Sequence, residues 1–464
     1  MNKESGADMK KIISVIISFI MLFPSYVFSF LPNNTDADFS AVNITPVSSQ
    51  GIDGEIISEK ATFIFDGENG WFNYYAVSYK SDSYMKGNIV YTVRGSEYSE
   101  EFFLEPSDGT KPFYSFIDGI LDKLKSNELC RITVEPLNNP QAKFTLLGVG
   151  LFNREVPDTN VYIESGGYKI GINLLWGGAL DYLEDLDSDV EAVKVDGKIY
   201  VDSNASEIYG KKAVNKSVNL INKHDTGRLI QQSYYGTAEG YEDVYYGNDQ
   251  WRYNPVQGGN QYNEASKIVD LDITENYIYI KCRPLDWALP AEDISPAYME
   301  AKYTIANGCV NVWCRFVDFS GFPATHTTQE LPAFYCIEPF NRFVYYSGSE
   351  PWTGDKNLTY QNDLVFWPDM GYPNFASTEN WSAFIGEHDD SFGIGLYVPH
   401  NANFLAGIFD RGNTTQKDPS LSISTSYIAA VSWVDFESYK PMEYNYSIAT
   451  GNVDEIRSAF NNVR

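Results

Sequence analysis

Tyr277 to Cys282 reads YIYIKC, and Val310 to Val317 reads VNVWCRFV. Apolar or aromatic side chains alternate with polar ones in both, and a period of two is that of a half-buried strand. Similar short segments, bounded by Gly, Asn, Asp or Pro, follow at Phe334 to Ile337, Arg342 to Tyr346 and Ile394 to Val398. They also precede it, at Ala61 to Phe65, Phe72 to Tyr79, Asn88 to Val93, Arg131 to Val134 and Phe144 to Gly150. Helical spacing occurs in two places only. One is the set Phe113, Phe116, Ile117, Ile120, Leu121 and Leu124; the other is the terminal VDEIRSAFNNV, with acidic residues early and Arg464 just beyond. The chain therefore reads as all-β.

The pattern breaks at Arg154 to Asn160, REVPDTN. Residues 51–155 are expected to form a jelly-roll-like β-sandwich module of about 100 residues. Its aromatic run Trp71, Phe72, Tyr74 and Tyr75 fits a core better than a ligand platform. Residues 160–464 hold too many strands for one simple sandwich, so a large antiparallel double sheet, supersandwich-like, is expected there.

The N-terminus sets the compartment. Lys10 and Lys11 precede the apolar run IISVIISFIMLF, and small or polar residues follow to Ser29. This is the order of a secretory signal peptide over 1–30, with a linker over 31–50. The expectation is a protein that is extracellular or periplasmic. No later stretch approaches the ~20 apolar residues of a membrane span, so no membrane association is expected once the signal is removed.

The full chain has 464 residues, 34 basic against 62 acidic, for a formal net charge of -28. That charge repels nucleic acid and anionic membranes, and it leans against strongly sulfated or uronate-rich glycans. Of the five cysteines, Cys130, Cys282, Cys309, Cys314 and Cys336, none forms a metal-binding pair. A bridge between Cys282 and Cys314 and buried free thiols fit the sequence equally. DLDSD, Asp185 to Asp189, lacks the glycine and closing Glu of a calcium loop and reads as a solvated acidic turn. No cofactor is required, although a structural calcium ion between sheets is compatible with the sequence. Phosphate loops, GxSxG elbows and HExxH helices are absent from it.

Site-like chemistry is concentrated between Asn222 and Gly259, where NKHDTGRLIQQSYYG is followed by WRYNPVQGG. Flat rings, amides and ionisable groups in one segment suit a sugar, whose C–H face stacks on aromatic rings while its hydroxyls take directed hydrogen bonds. Trp251, Tyr234 and Tyr235 are the expected ring platforms. Gln231, Gln232, Asn254, Gln257 and Arg228 are the expected hydroxyl readers, joined by Asn380 and Trp381 from STENWSAF. The expected partner is thus a polysaccharide or oligosaccharide.

Glycoside hydrolysis needs one protonated and one ionised carboxyl group across the bond. Asp225, Glu330 and Glu379 form the pool for these roles. A polysaccharide lyase needs instead a base, a proton donor and a group that neutralises a uronate, for which His224, Tyr235, Arg228 and Asn254 are suited. A glycan-binding protein without turnover is the third reading. Arg228 serves equally well as the structural partner of Asp225.

YKIGINLLWGGALDYLED, with Gly177 and Gly178 ahead of Ala179 and Leu180, resembles the early strand-turn-strand of the galactose-mutarotase-like supersandwich proteins. HDTGRLIQQSYYG, WRYNPVQGG, QELPAF and TENWSAF resemble uncharacterised secreted bacterial proteins that accompany carbohydrate-degrading enzymes. The resemblance implies a carbohydrate-active role. The paired histidines of the mutarotase group have no counterpart in equivalent context, which argues against simple sugar epimerisation. Sugar, linkage, stereochemical outcome and oligomeric state are left open by these residues.

Overall fold

A computed structural model describes residues 40–41, 43–46, 56–57, 61–66, 70–93, 96–117, 124–126, 130–152, 154, 156, 159–366, 374–412 and 417–464. The apolar run expected to be a signal peptide lies outside the described residues, as does most of the expected linker. The chain divides into two compact units, 1–156 and 157–464.

In the first unit, two five-stranded antiparallel sheets face one another. Tyr75 on one sheet meets Phe102 on the other, with ring centroids 5.9 Å apart, and Phe113 stacks on Phe102 at 5.5 Å. Tyr75 is buried in this core, whereas Tyr74, on the opposite side of its strand, is buried against Phe116 and Phe152 of its own sheet; the side chains of Trp71 and Phe72 lie outside the described residues. The helix expected from Phe113 is corrected. Phe113–Phe116 is a strand that pairs antiparallel with Tyr74–Val77, because ladder bonds and aromatic burial outweigh a short helical spacing. Leu124–Ser126 is also strand, and 118–123 lie outside the described residues.

The second unit is built on a ten-stranded and a nine-stranded antiparallel sheet. They pack face to face: Tyr234 stacks on Phe316 of the nine-stranded sheet at 4.2 Å, and Phe436 of the ten-stranded sheet lies 5.5 Å from the same ring. The expected double sheet is thus present. Trp176 to Gly178 makes the turn into the ten-stranded sheet, with φ of 56° at Gly177 and 70° at Gly178. A Cβ on Gly177 would fall 1.8 Å from the Gln257 carbonyl oxygen, so both the backbone angle and the space require glycine there. The terminal helix is Val453–Asn461. Asn452 and Glu455 close a capping box at its start, and Ile456 and Phe460 bury against Trp381 and Tyr397.

Cys282, Cys309, Cys314 and Cys336 are buried and free. A Cys282–Cys314 bridge is ruled out by topology. Cys282 pairs with Met299 and Cys314 with Ala301, so the Ala297–Ala306 strand lies between them, leaving the thiols two strand spacings apart. Asp185 accepts from the backbone amides of Asp187 and Ser188 at 3.0 and 2.9 Å, which makes DLDSD a turn. Among the described residues no cluster of His, Cys, Asp and Glu is placed to hold a metal ion, and no helix is long and apolar enough to cross a membrane.

Candidate functional site

Asp225 builds a turn. Its Oδ1 accepts from the amides of Gly227 and Arg228, both at 3.0 Å, and Gly227 sits where a Cβ would strike the Trp287 ring. His224 is exposed, its Nδ1 3.1 Å from the Leu421 carbonyl oxygen. Arg228 leaves this turn over the rings of Tyr335 and Phe409, with centroids 5.3 and 5.2 Å from its guanidinium carbon. Its Nη2 is 3.9 Å from Asp410 rather than paired with Asp225, and its buried Nε has no hydrogen-bond partner.

The amides expected to read sugar hydroxyls are spent on the protein itself. Gln231 Nε2 donates to the Thr226 carbonyl at 3.0 Å and its Oε1 accepts from Gly258 at 2.6 Å. Gln232 Nε2 donates to the Glu300 carbonyl at 2.9 Å and its Oε1 accepts from the Tyr234 hydroxyl at 2.8 Å. Gln257 Nε2 donates to the Gly178 carbonyl at 3.1 Å, and Asn254 Nδ2 donates to the Tyr234 carbonyl at 2.8 Å. Gln231, Asn254 and Gln257 satisfy backbone groups outside the regular strands, and Gln232 binds a carbonyl within the Ala297–Ala306 strand. Tyr234 is fully buried between the sheets and is core, not a platform.

Glu379, Asn380 and Trp381 also belong to the scaffold. Glu379 is fully buried and accepts from Arg457 Nε at 2.8 Å, Arg457 Nη2 at 2.6 Å, Trp381 Nε1 at 2.8 Å and the Trp352 amide at 2.5 Å. A carboxylate with both oxygens so engaged has no site for a substrate, and its work is to pin the terminal helix. Trp381 is buried in the core beneath that helix. Asn380 holds the positive-φ turn before the Trp381–Ile385 strand, at φ 60°.

Glu330 differs from both. It lies on the Thr325–Ile337 strand, opposite Ser233 on one side and Val431 on the other, just before a bulge at Leu331 and Pro332. Partly buried, it receives hydrogen bonds from the hydroxyls of Tyr427 and Tyr235. Among the described residues no Lys, Arg or His pairs with it. Burial raises its proton affinity above the ordinary carboxylate value, with the two tyrosine hydroxyls pulling the other way.

Two groups of rings flank Glu330, one through Tyr427 and one through Tyr235. Tyr335 lies 4.5 Å from Tyr427 and carries Arg228 on its face. Tyr235 meets Trp251 edge-on at 6.4 Å, and Trp251 meets Tyr246 at 5.3 Å. The structure thus brings together Glu330, Tyr235, Trp251 and Arg228 from the expected set and adds Tyr427, Tyr335 and Phe409. Tyr335 comes from the strand of Glu330 itself, and Phe409 and Tyr427 come from two later strands that only sheet register brings beside it. Burial pushes the Tyr427 phenol well above its ordinary value, so the hydroxyl donates to Glu330 and stays protonated. Chemically, the face offers one carboxyl group of raised proton affinity, an arginine packed on two rings and several further flat rings.

No family model matches this chain, and no curated protein matches it. Solved structures to which it is similar include a putative aldose 1-epimerase from Escherichia coli K12, at TM-score 0.35 and 8% identity, covering 64% of this chain and 99% of that one. A galactose mutarotase-like protein from Lactobacillus casei is similar at TM-score 0.34 and 11% identity, covering 63% of this chain and 99% of that one. An alpha-galactosidase from Geobacillus stearothermophilus, in complex with stachyose, is similar at TM-score 0.33 and 10% identity, covering 65% of this chain and 42% of that one.

Proposed function

We propose that this is an exported carbohydrate-active protein that hydrolyses a polysaccharide at the sheet face around Glu330, with Glu330 as the proton donor. The observation that carries the reading is a carboxyl group on a ring-lined sheet face, held by two tyrosine hydroxyls and with no cation partner among the described residues. A raised proton affinity keeps such a group protonated to higher pH than a solvated glutamate. In that state it can hand its proton to a glycosidic oxygen as the bond breaks. The tyrosines orient the carboxyl group, and the rings cover the apolar face of a sugar. The second carboxylate is drawn from Asp225, one of whose oxygens is outside its turn bonds, or from the more exposed Asp410 beside Arg228.

The lyase reading is the weaker one. Its histidine is turned to the Leu421 carbonyl, and the hydroxyl of its tyrosine, Tyr235, is directed at the Glu330 carboxyl group. The test is incubation of the secreted chain with neutral and acidic polysaccharides, recording new reducing ends and the ultraviolet absorbance of unsaturated uronates. Reducing ends without absorbance, lost in Glu330→Gln, support the proposal. Absorbance rising with the reducing ends means a lyase, and retained turnover in Glu330→Gln removes Glu330 from the chemistry. Binding with no turnover in the parent chain leaves a glycan-binding protein.

A further inference from the structure

The sheet face that carries Glu330 continues beyond it. On the Thr325–Ile337 strand, alternation places His326, Thr328 and Glu330 on one side, and their partners across the ladder are Asp435, Trp433 and Val431. Going the other way from Glu330, the face is covered: Tyr427 and Ala429 pack with Phe366 and Leu405 in an apolar cluster. Glu330 therefore stands at the margin between a covered half and an open half.

Trp433 occupies the open half and is 66% exposed. A tryptophan so placed leaves most of a large apolar ring in water, and nothing in folding recovers that cost. The ring is nonetheless held in place. His326 stacks on it with centroids 5.4 Å apart and planes 23° from parallel, and His326 Nδ1 is fixed 2.8 Å from Asp435 Oδ1. Trp433 is the diagonal cross-strand neighbour of Glu330, about 7–8 Å away between Cα atoms. A ring stacked on the indole thus lies beside the carboxyl group rather than over it.

The surroundings select the occupant. On this face the indole is bordered by the polar Thr328, His326 and Asp435 and, toward Glu330, by the half-buried Val431, so the exposed apolar spot is about the size of one ring. A stable protein interface needs about 800 Å² from each partner and a wide apolar centre. A sugar ring, with one C–H face and hydroxyls around its edge, needs only this.

We propose that Trp433, backed by His326, is a sugar-binding subsite adjoining Glu330, so that the substrate is an oligosaccharide or polysaccharide that occupies both places at once and not a free monosaccharide. The inference rests on Glu330 marking the carbohydrate face. It is tested by affinity electrophoresis and polysaccharide turnover with the full chain, Trp433→Ala, Trp433→Phe and Glu330→Gln. Expected is about tenfold weaker polysaccharide binding in Trp433→Ala, recovered in large part by Trp433→Phe, with thermal stability unchanged. Glu330→Gln is expected to lose turnover and keep binding. Unaltered binding and turnover in Trp433→Ala would overturn the subsite while leaving the role of Glu330 standing. Weaker binding in Trp433→Ala with no turnover in the parent chain would support the subsite and remove the catalytic reading. Failure of the parent chain to bind any glycan would overturn both.

Discussion

Replacing Glu379 with glutamine isolates its structural role. The carboxylate is fully buried and meets Arg457, itself 7% exposed, through two parallel hydrogen bonds. Arg457 sits on the terminal helix while Glu379 precedes the Trp381–Ile385 strand, so the pair joins helix to sheet. An amide keeps the shape, but it leaves the buried guanidinium with only the longer 3.8 Å contact to the Asp355 carboxylate. Breaking one side of such a pair costs roughly 3–5 kcal/mol. For a unit of this size that lowers the melting temperature by on the order of 10 °C. The assay is a thermal melt followed by circular dichroism, with Glu379→Met/Arg457→Met alongside, in which removal of both charges restores part of the loss. If Glu379→Gln melts within about 1 °C of the parent chain and loses polysaccharide turnover, the structural assignment of Glu379 is refuted.

Three further outcomes are expected. Asp181 is buried, and burial raises its carboxyl from 3.8 to about 6, against the attraction of Lys223. While protonated the buried acid carries no charge-burial cost, stability falls as pH rises from about 4 to about 6, and the loss is complete above that. Asp181→Asn should therefore match the parent chain near pH 3.5 and exceed it by roughly 1–3 kcal/mol at pH 7 in denaturant titrations; a gap independent of pH would contradict this. Gly177→Ala should destabilise by about 2 kcal/mol or more, since the new Cβ meets the Gln257 carbonyl at a left-handed backbone position; an unchanged denaturation midpoint would count against the turn described. Alkylation in denaturant without reductant should label Cys282, Cys309, Cys314 and Cys336, whereas labelling of Cys282 or Cys314 only after reduction would reveal a bridge.

Strand positions were legible where alternation was strong. YIYIKC and VNVWCRFV fall inside Tyr277–Arg283 and Cys309–Asp318, because each strand has one face in the core and one outside. Phe113, Phe116 and Ile117 misled because a few large apolar residues fit either period, and pairing with Tyr74–Val77 decided the matter. Gln231, Gln232, Asn254 and Gln257 resembled a sugar site because amides serve a ligand and an unpaired backbone with the same hydrogen bonds. Glu330 was legible as a carboxylate at the edge of an apolar strand. Tyr427 was not, since its hydrogen bond to Glu330 depends on a ladder between strands some hundred residues apart. Trp433 carried a sequence signal that was passed over: in VSWVDF the tryptophan alternates with the half-buried residues of its strand and shares the phase of Asp435.

The proposed role of Glu330 rests on a raised proton affinity at a face that meets carbohydrate. Its most direct measurement is carbon-13 nuclear magnetic resonance of the glutamate side-chain carboxyl groups, with the Glu330 signal identified by its absence from Glu330→Gln, titrated with and without an oligosaccharide. The account predicts a midpoint above the ordinary glutamate value and a further change when the sugar is added. A Glu330 signal that titrates like a solvated glutamate and is indifferent to every oligosaccharide tried would contradict it.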